Sequence, residues 1–303
     1  MNQSTTVTII ILNYNRPHDT IECINSILDI DYPSYNIILV DNCSTDDSIE
    51  IFNMKLTDFK VYSTPENMGY TGGINFGLKI AEKIPSDYIL LLNNDTIVEK
   101  NFLSVLVSAI GNDKNVAAAC GTILCEHNRN EIWYAGGEMI KWRGLAAHTG
   151  KGSEFKSENL KTPVYTTFIT GCMILLRWKY LNEIGYEDER FYMYLDDIEL
   201  SSRIQRKGFK LLYVPNSIIY HKVLNESESS FKLYYSVRNR LLLISLISTG
   251  INKFIASFYF LSVITLKLIF WKFFNPSFFK TAKYGLEDYF RKNFIKGRGF
   301  EQS

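Results

Sequence analysis

The chain has 303 residues, 33 Lys+Arg against 32 Asp+Glu, and an apolar fraction of 46%, which suits one large buried core or two smaller ones and excludes a disordered protein. The formal charge of +1 hides an asymmetry, because residues 1–230 carry 21 basic and 29 acidic groups (−8) while residues 231–303 carry 12 and 3 (+9). An acidic body thus precedes a basic, aromatic tail, and such a tail calls for an anionic partner, either a membrane surface or nucleic acid.

The N-terminal stretch has no basic run and its apolar segment stops at Leu12, unlike a secretory signal. Apolar runs at Val7–Leu12, Ile37–Val40, Phe59–Tyr62 and Tyr88–Leu92 predict strands, and Pro17–Leu28, Asp46–Met54 and Thr71–Ala81 predict helices between them. Strands alternating with helices imply βαβ units and a parallel sheet. Thr8–Leu12 and Ile89–Leu92 lack polar alternation, which suits strands covered on both faces. Each of the four runs is followed by polar residues, in Asn13–Pro17, Asp41–Asp46, Pro65–Tyr70 and Asn93–Asp95. Ligands of open parallel sheets bind beyond the carboxyl ends of the strands, so four polar ends on one edge predict a site there.

From Val116 onward, strand-like runs (Val116–Leu124, Glu131–Ile140, Thr166–Leu176) lie among glycines, as in a mixed sheet with long loops, and no strong helix appears until about Trp178. Asp196 and Asp197 then open a helix that continues through Lys207 and closes at Gly208. Lys210–Pro215 and Ser217–Tyr220 predict two short strands that end at His221. The five cysteines show no C-x-x-C spacing and sit mostly in apolar runs, as buried reduced thiols do, which favours a cytoplasmic setting.

The chemistry concentrates in a few of these residues. Asp41, at a strand end, suits hydrogen bonds from a ribose or a base N–H, or an Asx-turn. Asp95 with its asparagine neighbours suits a hard cation such as Mg²⁺ or Mn²⁺, or again a turn. Adjacent helical residues point about 100° apart. One of Asp196 and Asp197 can therefore cap the helix while the other projects into a cleft as a general base. His221 is either a structural group or a metal ligand complementing Asp95. Gly69, Gly72, Gly73 and Gly77 fit neither a dinucleotide fingerprint nor a P-loop, but small residues there leave room for a ligand near the backbone.

Together the segments TVTIIILNYNRP, IILVDNCSTDDS, ENMGYTGGINFG, DYILLLNNDT and DERFYMYLDDIELSSRIQRKGFKLLYVPNSIIYH resemble glycosyltransferase family 2, and within it the rhamnosyltransferase-like branch, over roughly residues 5–245. The resemblance implies a GT-A fold, a Rossmann-like mixed sheet with helices on both faces, in a catalytic domain over 1–230. It also implies an inverting transfer from a UDP- or dTDP-sugar to a hydroxyl of a glycan acceptor, lipid-linked, in cell-surface polysaccharide synthesis. It places Asn13, Tyr14 and Arg16 in the first nucleotide-contacting loop, Asp41, Asn42 and Ser44 on the nucleoside, and Asn67, Gly69 and Gly73 near the diphosphate. Asn93-Asn94-Asp95 stands where the family has its D-x-D metal motif. Asn93 replaces the first acid, so Asp95 is the ionic ligand to Mg²⁺ or Mn²⁺ and His221 the second. Asp197 is the implied base beside Asp196. Arg238 or Arg240 is either positive charge near the diphosphate or a membrane-facing or solvated basic residue. A non-catalytic nucleotide-sugar-binding relative is the competing reading. A nucleotidyltransferase is disfavoured because Asn13–Pro17 has no glycine.

In the tail, 231–303, the uncharged runs Leu241–Asn252 and Phe254–Leu266 are separated by Lys253. Each is shorter than the ~20 residues of a spanning helix, and one combined span would place Lys253 mid-bilayer at a cost of roughly 2.5–3.5 kcal/mol. Amphipathic helices lying on the inner face of the cell membrane are the preferred reading. A subdomain packed on the core, or a dimer face, is the alternative. Nucleic acid is excluded as partner, because the aromatics lie in apolar helical runs.

Overall fold

The computed structural model describes residues 5–156, 162–223, 229–294 and 296–297. The start of the N-terminal stretch and the end of the tail lie outside the described residues. The first half alternates as its apolar runs predict, with strands β1 (Val7–Asn13), β2 (Tyr35–Asp41), β3 (Val61–Ser63) and β4 (Tyr88–Asn93) and helices α1 (Pro17–Leu28), α2 (Ser48–Lys55) and α3 (Gly69–Ala81) between them. α1 begins on a proline, which suits a first helical position. It buries Pro17, Thr20, Cys23, Ile24 and Ile27, the stripe that a 3.6-residue period puts on one face. Then follow β5 (Thr96–Val98), α4 (Phe102–Gly111), β6 (Val116–Cys125), β7 (Asn128–Tyr134), β8 (Gly137–Ile140), a 3₁₀ turn (Lys141–Arg143), β9 (Leu145–His148), β10 (Val164–Thr166), β11 (Met173–Arg177), α5 (Trp178–Ile184), α6 (Asp196–Arg206) and β12 (Lys210–His221). Three helices close the chain, α7 (Ser230–Ile247), α8 (Gly250–Phe274) and α9 (Pro276–Phe290).

The main sheet runs β10-β12-β6-β11-β4-β1-β2-β3, with β5 added on β12 and β7 on β6. β4, β1, β2 and β3 pair in parallel. β11 is antiparallel to both β4 and β6 and joins the first half to the second. β1 and β4 are buried along almost their whole length, so the unalternating runs do sit between layers of helices. α3 packs closely on this centre because it has glycines where it crosses β1. A Cβ on Gly73 would lie 2.5 Å from Leu12 Cδ1, and one on Gly77 2.7 Å from Ile10 Cγ2. Gly73 therefore serves helix–strand contact. Gly77→Val is expected to lower stability by about 1–3 kcal/mol through overpacking, measured by denaturant unfolding.

Two expected strands are broken. Glu131–Ile140 divides at Gly136 (φ +90°), and β7 stays on β6 while β8 pairs with β9 in a separate hairpin. Thr166–Leu176 contains a loop over 167–172 between β10 and β11. Conversely, the two short strands before His221 are one strand. β12 slips register across Val214–Ile218 where Pro215 interrupts the ladder, and Thr122 Oγ1 donates to the Pro215 carbonyl at 2.8 Å.

Position 230 marks a change in charge and not a gap between cores. Leu242, Leu243 and Ile247 of α7 belong to the same core cluster as β1 and β4. α9 lies close on α7, where the buried Asp288 accepts from Tyr234 OH at 2.7 Å. All five cysteines are reduced thiols, four of them buried.

Candidate active site

A cavity of about 1010 Å³ opens beyond the carboxyl ends of β1, β2, β4 and β12 and the N-terminus of α6. A smaller cavity of about 430 Å³ lies elsewhere, with no titratable side chain among its lining.

At the β1 and β2 ends, Tyr14, Arg16 and Asn42 line the large cavity, together with Asn67 from the loop before α3. Asn42 organises this side. Its amide donates to Asn67 Oδ1 (3.1 Å) and the Gly69 carbonyl (2.9 Å), and its oxygen accepts from Met68 N (3.0 Å). Gly69 has φ +70°, and a Cβ there would lie 2.5 Å from the Tyr192 carbonyl, so only glycine lets the 191–195 loop sit on the start of α3. Asn13, Asp41 and Ser44 stand behind this surface. Asp41 is 1% exposed and accepts from Asn13 Nδ2 (2.8 Å), Ser44 N (2.9 Å) and Ser44 Oγ (2.6 Å). Asn13 is fully buried and accepts from Thr20 Oγ1 at 2.8 Å. Asn13, Asp41 and Ser44 are not among the residues that line the cavity. A buried carboxylate with three donors fixes the two loops against each other, and Tyr14, Asn42 and Asn67 present the surface.

Asn93, Asn94 and Asp95 follow β4 into the cavity, and β12 delivers His221 to the same point. Asp95 Oδ1 lies 3.2 Å from His221 Nε2, a meeting of residues 126 positions apart that the sequence alone could not reveal. Burial acts to raise the Asp95 carboxyl, but the His221 imidazole and the Arg16 charge outweigh it and hold the group below the usual carboxylate range. Asp95 Oδ1 and His221 Nδ1 are buried and make no hydrogen bond among the described residues. The facing carboxylate oxygen and imidazole Nε2, 3.2 Å apart, are a donor set that fits a divalent cation of borderline hardness, while the buried Nδ1 lies on another side of the ring. Trp133 packs edge-on against His221 (centroids 4.7 Å) and against His148 (4.6 Å), which fixes the imidazole plane from behind. Next to His221, Lys222 donates to Asp19 Oδ1 at 2.7 Å and Glu22 Oε2 at 2.5 Å. Cys125, His127 and Glu131 at the β6–β7 turn also bring ligand atoms within 4.8 Å of one another, outside the cavity lining.

The acidic doublet stands at the opposite wall. The N-cap of α6 is Leu195, with no side-chain cap, so the expectation that one aspartate caps the helix is corrected. Both aspartates line the cavity instead. Asp197 Oδ2 accepts from Gly171 N (3.1 Å) and Oδ1 from Ile198 N (2.9 Å), while Tyr70 OH holds the Gly171 carbonyl (3.0 Å). Burial raises the Asp197 carboxyl to about 6 against the pull of these N–H donors. Asp196, only 5% exposed, is raised further by burial and by the charge of Asp197. Two adjacent carboxyls held apart in acidity allow one to be ionised while the other keeps its proton.

The loop before the doublet is strained. Tyr192, Tyr194 and Leu195 have φ of 63°, 68° and 67°, a left-handed conformation that costs non-glycine residues roughly 1–2 kcal/mol each. α7 holds it. Asn239 Nδ2 lies within 2.7–3.0 Å of the Phe191, Met193 and Tyr194 carbonyls. Arg238 Nη2 donates to the Arg190 and Phe191 carbonyls at 3.0 and 2.9 Å. Arg238 is fully buried and does not line the cavity, so its expected place near a diphosphate is corrected; its charge is spent on backbone carbonyls. Arg240 likewise donates to the Arg143 carbonyl at 2.6 Å. Asn239→Ala takes a donor from the Met193 and Tyr194 carbonyls, while Phe191 keeps Arg238, and is expected to cost about 2–3 kcal/mol, seen as a lower unfolding midpoint together with lower turnover.

A sequence profile of glycosyl transferase family 2 matches residues 8–185, more than half of the chain. The chain belongs to glycosyl transferase family 2. It is similar to the O-antigen chain rhamnosyltransferase WbaN of Salmonella anatum, with 27% identity over 200 residues covering 66% of this chain and 60% of the relative. It is similar also to a poly-beta-1,6-N-acetyl-D-glucosamine synthase of Staphylococcus aureus, with 26% identity over 212 residues covering 69% and 48%. The chain spans about half to three-fifths of the length of these curated relatives. Among solved structures, GalNAc-T7 with UDP, GalNAc and Mn²⁺ superposes with a TM-score of 0.62 at 19% identity, over 78% of this chain and 48% of that one. Mannosyltransferase PcManGT of Pyrobaculum calidifontis, with GDP-Man and Mn²⁺, gives 0.58 at 15%, over 94% and 75%. This family 2 chain therefore has the expected GT-A fold. Residues that sequence reasoning did not single out also shape its site. Tyr70 lay within a quoted motif and Lys222 beside His221, whereas Gly171 and Trp133 had no signal, since they come from the region of broken strands.

Proposed function

We propose that this family 2 protein is an inverting glycosyltransferase. It moves a sugar from a UDP- or dTDP-sugar to a hydroxyl of a lipid-linked glycan acceptor in cell-surface polysaccharide synthesis, at the cytoplasmic face of the cell membrane, with residues 231–303 at the membrane surface. The observation that carries the reading is the single cavity shared by Asn42 and Asn67, the Asp95–His221 pair and Asp197. Asn42, Asn67 and Tyr14 bind the nucleotide. Asp95 and His221 would hold a divalent cation, Mg²⁺ or Mn²⁺, which when bound supplies Lewis-acid charge to the departing diphosphate. Asp197 accepts the proton of the acceptor hydroxyl as its oxygen bonds to the anomeric carbon. The bond from that carbon to the diphosphate oxygen breaks on the opposite face, which inverts the centre.

Thermal stabilisation and hydrolysis of a panel of nucleotide sugars test this. A donor at 100 times its Kd raises stability by about 2.7 kcal/mol. Failure of both UDP and dTDP to stabilise the protein with Mn²⁺ present would refute the reading. Stabilisation without transfer to any acceptor would favour a non-catalytic binding relative.

A further inference from the structure

Among the described residues, α8 is the one helix long and apolar enough to cross a membrane, and only 17% of its most apolar window is buried. At ~1.5 Å per residue, 25 residues run about 37 Å, longer than the ~30 Å hydrocarbon core. Length alone would allow a span, but its packing does not. Ala256, Phe260 and Ile264, four residues apart, form a buried stripe, and Trp271 continues it against Phe278 of α9 at 5.7 Å. Near the other end Tyr259 packs on Trp142 of the 3₁₀ turn at 5.2 Å. A spanning α8 would drag the polar groups of α9, Lys280, Lys283, Glu287 and Asp288, into hydrocarbon.

The other face is bare and mostly apolar. Ile251, Phe254, Phe258, Leu266, Ile269 and Phe273 are each 57–74% exposed. At ~100° per residue Lys253 and Lys267 fall in line with the packed stripe, one before Ala256 and one after Ile264, away from the exposed phenylalanines; the outer face also carries Ser262 and Thr265, and Lys272 on its edge near the end of the helix. Lys267 Nζ indeed lies over the ring of Trp271, the residue that continues the stripe, at 5.4 Å. A mostly apolar outer face with Lys253 and Lys267 set back from it and Lys272 on its edge, in a tail of 12 basic against 3 acidic groups, matches an anionic bilayer better than a second copy of the same basic surface.

We infer that α8 lies flat in the head-group plane of an anionic membrane, with its outer face sunk into the acyl boundary. This rests on the membrane reading above and fixes its geometry. It also connects the bilayer to the site. The 3₁₀ turn that carries Trp142 leads directly into β9, whose Leu145, Ala146 and His148 line the cavity, so one hairpin links the membrane-facing helix to the cavity wall.

The test uses the full chain with vesicles of phosphatidylcholine alone or with phosphatidylglycerol. Flotation with the anionic vesicles is expected. A Phe254→Ser/Phe258→Ser/Phe273→Ser variant should bind them more than about tenfold more weakly, while its melting temperature and its turnover of a water-soluble acceptor stay within a few degrees and twofold of the parent. An environment-sensitive label at Ile251→Cys, Leu266→Cys or Phe273→Cys, corrected for labelling of Cys43, should report the same shallow depth at all three. A deep central site between shallow ends, absence of vesicle binding, or a dimer in solution abolished by the same serine substitutions would overturn the inference. Vesicle binding without sugar transfer would overturn the catalytic reading and leave this one standing.

Discussion

An Asp197→Asn variant is expected to bind UDP as tightly as the parent and to transfer sugar about 10²–10⁴-fold more slowly, the range that a general base contributes. The substitution keeps the shape of the side chain and an oxygen for one of its two backbone donors, the Gly171 and Ile198 N–H groups, but removes the proton acceptor. The pH profile gives an independent check. Burial raises the Asp197 carboxyl to about 6, and the base works only when ionised, so parent turnover should fall as pH drops through about 6 while the residual rate of the variant stays flat across that window. A parent profile with no acid limb near 6, or a variant with unchanged turnover, would remove Asp197 from the role.

The second large effect concerns the cation. Chelation with EDTA, or Asp95→Asn, is expected to reduce turnover at least about 100-fold, since Lewis-acid stabilisation of a leaving diphosphate supplies several kcal/mol and each 1.36 kcal/mol is a factor of ten. Asp95 is the ionic member of its pair, so His221→Ala should weaken Mn²⁺ binding less than Asp95→Asn does. Loss of the free-Mn²⁺ resonance on titration with protein measures this without reference to activity. Equal Mn²⁺ binding by the parent and by Asp95→Asn would contradict the assignment.

The parts of this molecule legible in its sequence are those set by short-range rules. Unbroken apolar runs such as Ile9–Ile11 and Leu90–Leu92 could only be covered strands, and Pro17 and Gly208 punctuate helices as their backbones require. The polar strand ends did gather at one edge. Less legible was the division of labour within that edge. Asp41 and Asn13 carry the functional groups of ligand contacts, yet it is Asn42 that lines the cavity while those two bond to each other, an arrangement that depends on how two loops dock and that no local pattern encodes. Arg238 was misread for a related reason. A basic residue near an active-site motif looks like a charge for a diphosphate, and only the fold shows the Arg190 and Phe191 carbonyls of the strained loop that take its donors. Pairings such as Asp95 with His221 or Asp197 with Gly171 span 126 and 26 residues, and distance along the chain erases them.

The strained loop has a consequence for the order in which the protein matures. Its clamp, Arg238 and Asn239, lies more than 40 residues after the loop it secures, so a nascent chain can complete the sheet with both aspartates already translated but not yet aimed. The loop before the doublet thus has its donors only once α7 is in place. A fragment stopped near residue 230 would contain both aspartates of the doublet but none of the α7 side chains that hold the loop before them.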